Sequence, residues 1–87
     1  MTIALASVLD TPAAGPLRLT LERLIAQNVP IQADGEAVER IGLACLQVLA
    51  AGQVAAIGVG LDFKIVGSSP ALIEMATLAG LATLVTV

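Results

Sequence analysis

Apolar positions run through most of this chain, and their spacing divides it into elements. Thr2 to Leu9 (TIALASVL) alternates loosely and carries no charge, as expected of a strand buried on one or both faces. Asp10-Thr11-Pro12 stops it. Proline suits the first turn of a helix, and Asp or Thr just before it can cap the free amide donors. From Ala13 onward Leu17, Leu21, Leu24 and Ile25 recur at helical spacing, with Arg18, Glu22 and Arg23 on the outer side. The helix ends near Asn28, and Pro30 prevents its continuation. Ile31 to Asp34 is a short strand of weak propensity, followed by a charged loop over Gly35 to Arg40. A second helix spans about Leu43 to Ile57 and ends at Gly58-Val59-Gly60, where glycine takes the left-handed cap conformation. Asp62 to Val66 alternates cleanly as a strand. Gly67-Ser68-Ser69-Pro70 turns into a third helix, with Ser69 as its N-cap and Gly80 as its end. Leu81 to Val87 is an apolar tail that suits a short terminal strand.

The order β-α-β-α-β-α implies an α/β fold, a small, mainly parallel sheet joined and covered by helices. No repeat, linker or low-complexity segment divides the chain, so residues 1–87 read as a single domain.

Composition narrows the chemistry. With 57 % hydrophobic residues, one Phe and no Trp or Tyr, the core must be aliphatic. Four cations against seven acids, with no basic run, cannot neutralise a phosphate backbone, so no nucleic-acid partner is expected. The chain has no histidine, and Cys45 is its single cysteine. Together these remove disulfides, His-based metal sites and His general bases, so neither a metal nor a cofactor is expected. The N-terminus lacks the basic n-region of a secretory signal, which makes the cytoplasm the default location. The uncharged stretch from Ile41 to Leu61 is as long as a transmembrane helix. It carries Gln47, Gln53 and several glycines and lacks interfacial anchors, so a buried soluble helix is the better reading.

Three pieces of the sequence, in order, resemble the STAS family, the fold of the anti-sigma-factor antagonists. Leu9-Asp10 with Ala13-Ala14-x-Pro16-Leu17 looks like the family's strand-end "LD" and helix start. Asp34-x-x-x-Val38-x-x-Ile41 is similar to the stretch ahead of its signature turn. Phe63-Lys64-Ile65-Val66-Gly67 with Ser69-Pro70 and Leu72, then Leu78-Ala79-Gly80-Leu81, looks like its ending. Gly42 to Leu49 also resembles small bacterial STAS proteins reading R-I-x-x-x-C-L-Q-V-L, some of them associated with chemotaxis clusters.

The signature itself departs from the family's pattern. Phosphorylatable members carry Asp-Ser-Ser-Gly-Leu or Asp-Thr-Ala-Gly-Leu at the second helix start, where this chain reads Gly42-Leu43-Ala44-Cys45-Leu46. The acceptor serine aligns with Ala44, which has no hydroxyl, and the acidic position with Gly42. The resemblance therefore implies a non-enzymatic module that binds a partner protein without the usual phosphorylation switch. That partner is an anti-sigma factor, a sensor kinase or a chemotaxis component. It also implies a docking surface of Asp10, Asp34, Gly42, Leu43, Ala44, Cys45 and Gln47. An alternative is a self-associating or transporter-associated STAS subunit, with a homodimer among its forms.

Each candidate has a plainer reading beside it. Asp10 and Asp34, at the carboxyl ends of neighbouring strands, could join Glu36 and Glu39 in a recognition surface, or could only cap a helix and solvate a loop. Cys45 in a helix's first turn could have a lowered thiol pKa, or could be a packed small hydrophobe. The second helix is the least ordinary feature. Gln47 and Gln53 are its only polar side chains, so some Leu, Val or Ile must face outward, and exposed apolar surface marks an interaction face.

Overall fold

The computed structural model describes residues 2–85 and is α/β throughout. Its elements are β1 (Thr2–Ala4), β2 (Val8–Leu9), α1 (Thr11–Ala26), β3 (Ile31–Asp34), β4 (Arg40–Ile41), α2 (Leu43–Gly58), β5 (Phe63–Val66), α3 (Pro70–Leu78) and α4 (Ala82–Val85). Every strand pairing is parallel: β1, β3 and β5 form one sheet with β3 central, and β2 and β4 form a second.

The alternation read from β5 is realised in space, with Phe63 and Ile65 buried and Lys64 exposed. Central β3 does the same through Ile31 and Ala33 around an exposed Gln32. The core is aliphatic: Leu21, Ile31, Val38, Leu46, Leu49 and Leu72 are its largest fully buried side chains, beside Cys45. Helices α1 and α2 pack side by side, with Gly52 of α2 set against Leu21 of α1. A Cβ there would lie 2.8 Å from Leu21 Cδ1, so the bare glycine is what admits the α1 leucine.

Two expectations are corrected. Thr2 to Leu9 is not one strand but two, broken over Leu5 to Ser7. Leu5 still donates to the Asp34 carbonyl at 2.9 Å, but β3 then turns away at Gly35, whose amide bonds Val66. The chain leaving Leu5 has lost its partner, and it finds a new one in the loop. Ser7 O accepts from both Glu39 N and Arg40 N, and Val8–Leu9 pairs with Arg40–Ile41. The apolar tail is also not a strand. After Gly80 at φ +75°, Ala82–Val85 forms a helical turn whose Leu84 enters the core; Thr86 and Val87 lie outside the described residues.

The helix ends follow their sequence signals more closely. Ser69 caps α3, its Oγ accepting from Leu72 N at 3.1 Å, with Pro70 following. α2 closes at Gly60, φ +80°. α1 stops at Ala26, and Asn28 takes the left-handed conformation ahead of Pro30.

Candidate functional site

The short β2–β4 ribbon brings two helix starts together. Leu9 pairs with Ile41, and Gly42 N donates to Leu9 O at 2.9 Å. α1 therefore begins just past Leu9, beside the point where α2 begins just past Ile41. Both N-cap positions, Asp10 and Gly42, are extended, and neither makes a side-chain cap bond. Neither helix has an acidic residue in its first turn. At α2 the first-turn amides have no side-chain cap, whereas at α1 Pro12 has no N–H, Ala13 N donates to the Asp10 carbonyl at 2.9 Å, and the exposed Asp10 carboxylate stands at the N-cap. A shallow depression of about 330 Å³ lies between them, bounded by Val8, Asp10 and Thr11 on one side and Arg40 and Gly42 on the other.

Asp10, Leu43 and Gln47 are exposed here, with Leu43 at 54 % accessibility although it is a leucine. Gly42 and Ala44 are half-buried. A second, larger concavity of about 430 Å³ opens between α1 and α2, where Ala44, Gln47, Ala51 and Ala55 face Ala14, Arg18 and Ile25. Its rim carries the exposed Arg18–Glu22 ion pair at 3.7 Å.

The structure does not bring two of the expected residues to the surface of this patch. Cys45 is fully buried and donates its thiol to the Asp10 carbonyl at 3.2 Å, tying the α2 start to the α1 start from inside. Burial first, and then the nearby Asp10 carboxylate, push its pKa up, the opposite of a helix-activated thiol. Asp34 ends β3, in the other sheet. Its Oδ1 accepts from Glu36 N at 3.0 Å, a local turn bond beside Gly67. Asp10 and Asp34 thus end strands of different sheets, because the break over Leu5 to Ser7 carries the chain away from β3 before it reaches Asp10.

Val8 and Arg40 at the depression had no distinct signal in the sequence, and Thr11 had one only as a helix cap. The uniform apolar run hides the ribbon, and Arg40 reads as one more loop charge. No group of His, Cys, Asp and Glu side chains suited to a metal ion occurs among the described residues. No helix there is long and apolar enough to cross a membrane.

A profile of the family described as "Mlab, STAS domain" matches residues 1–86, nearly the whole chain. The chain is a STAS domain. No curated protein matches it. STAS domains are in general non-enzymatic regulatory modules that act through protein–protein contacts. The parallel sheet with its helical connections fits that fold.

Proposed function

We propose that this STAS domain is a cytoplasmic, non-enzymatic signalling module that acts as one unit. It docks a regulatory protein of the sensor-kinase, anti-sigma or chemotaxis type at the paired starts of α1 and α2, and it needs no phosphorylation to do so. The observation that carries this reading is the start of α2. Leu43 stands exposed beside an uncapped, uncharged first turn, and Ala44 has no hydroxyl where the family's acceptor aligns. An apolar anchor surrounded by free amide donors suits a partner that brings an apolar contact and hydrogen-bond acceptors. Asp10 and Gln47 supply polar contacts at its edge.

Without a hydroxyl at position 44, the family's usual acceptor position has one charge state. A partner kinase cannot place about two negative charges at the helix N-terminus and so cannot release itself. The test is to mix the purified chain with sensor and chemotaxis kinases of the same organism, with and without ATP. One kinase should bind with the same affinity in both conditions, and no phosphate should appear on the chain. Phosphate incorporation, or binding that depends on ATP, would contradict the reading.

A further inference from the structure

The larger sheet runs in the order β1-β3-β5, so β1 and β5 are its two edges, and they are not built alike. β5 carries the exposed Lys64 in its middle, a charge of the kind that keeps other strands off an edge, and α4 packs on it. β1 has no such guard. Thr2 to Leu9 contains neither a charge nor a proline. Leu5 N donates to Asp34 O, and the parallel register of Ala4 with Asp34 then fixes which backbone groups of β1 face inward. Ile3 and Leu5 bond β3, while Thr2 and Ala4 turn their amides and carbonyls away from it. No backbone bond meets those outward groups among the described residues.

An apolar groove runs beside this edge. α1 packs chiefly on α2 and β2, and between it and β1 a cavity of about 350 Å³ opens to the surface. Ile3 and Leu5 form its sheet wall, Ala13, Pro16 and Leu17 form its helix wall, and Thr20 is the one polar side chain of its lining.

We propose that β1 takes up an extended segment of another protein as an added strand, whose apolar side chains enter the groove. The backbone names the occupant. A row of amides and carbonyls at strand spacing is satisfied by another extended chain, and not by a helix, whose own groups are already paired. The groove names the side chains. An added strand keeps the alternation of its neighbour, so every second side chain lies beside Ile3 and Leu5 and over the helix wall, where a charge would have no partner. β1 is 3 residues long, which suits a short linear segment. A second copy fits worse, because two β1 strands paired about a two-fold axis would set groove beside groove and leave both unfilled. The proposal does not rest on the docking reading, since its donors lie on β1 and not at the start of α2.

The probe is a displayed library of random linear peptides, selected against the full chain. Selected peptides should alternate apolar residues and bind the purified chain in solution. On binding, amide exchange at Ala4 should slow by about tenfold or more, while that of Ile3, already bonded to β3, changes little. Ala4→Pro removes the outward donor without touching a bond to β3, so the fold should be kept and peptide affinity should fall by about tenfold or more. If the proline variant does not fold, exchange at Ala4 decides alone. Failure to select any peptide, unchanged exchange at Ala4, or equal binding to a folded Ala4→Pro chain would overturn the proposal. Self-association of the wild type that Ala4→Pro abolishes would also overturn it, in favour of a second copy. Ala44→Asp should bind the peptides as the wild type does, and loss of binding there would move the peptides to the start of α2 and overturn the edge site.

Discussion

Cys45 occupies a helix's first turn, where a thiol could be activated, yet its surroundings do the reverse. It is fully buried and its proton is engaged with the Asp10 carbonyl. A thiol reagent at pH 8 should leave the native chain untouched and titrate one thiol after unfolding; rapid native modification would contradict the buried assignment. The pH dependence follows from the raised pKa. The native state holds this proton more tightly than the unfolded chain does. Its contribution is whole below the ordinary thiol pKa, about 8.5, and is lost as pH climbs through the raised native value. Alkaline unfolding of the wild type should therefore begin earlier than that of Cys45→Ala, measured relative to each chain's own stability at neutral pH. Gly35 is a second sharp test. A Cβ there would lie 2.5 Å from Leu72 Cδ2, and Leu72 is fully buried with nowhere to go. Gly35→Ala should cost about 1–3 kcal/mol by overpacking. Gly15→Ala, open to solvent in helix α1 but next to Pro16, whose ring crowds the Cβ of the helical residue before it, should gain less than the ~0.5–1 kcal/mol usual for such a change. Denaturant titration of the two variants checks both signs.

At the scale of elements, the two kinds of helix start in this chain invite opposite substitutions. Ser69 caps α3, so Ser69→Ala should lose about 1 kcal/mol in thermal or denaturant unfolding. Gly42 leaves the α2 start without a side-chain cap, and its Cβ position meets only Leu9 O at an ordinary 3.7 Å. Gly42→Asp should therefore stabilise the fold by a few tenths of a kcal/mol, through the cap and the helix dipole. The α3 cap, the three long helices, β3 and β5 were all legible in the sequence, because Pro, Gly and Ser punctuate a strong apolar period there. What was not legible lies where that period is featureless. TIALASVL gives no sign that its partner changes after Leu5, because every residue in it tolerates a strand. The tail from Leu81 reads as strand for the same reason, until Leu84 finds a place in the core as part of a helical turn. In the candidate site, the absence of a hydroxyl at Ala44 could be read directly, as could the need for some apolar side chain of α2 to face outward, though not that Leu43 is one of them. The separation of Asp10 from Asp34 could not, since it depends on how two sheets divide one apolar run, whereas the packed reading of Cys45 was already open in the sequence.

Across the whole molecule, the same economy of charge that builds an aliphatic core leaves α2 apolar on both sides. One side is spent on Leu46 and Leu49 in the core, and the other is left to partners. The claim on which the function depends is that the neutral start of α2 is the recognition surface. The direct measurement is titration calorimetry of the bound kinase against the wild type and against Ala44→Asp, which puts a carboxylate in the first turn of α2. Such a charge is compatible with the helix itself, which favours anions at its N-terminus, so folding should be preserved. Docking at this patch requires affinity to fall at least tenfold with an unchanged circular dichroism spectrum. Equal affinity for the two chains would mean that the partner binds elsewhere and that the start of α2 is not the recognition surface.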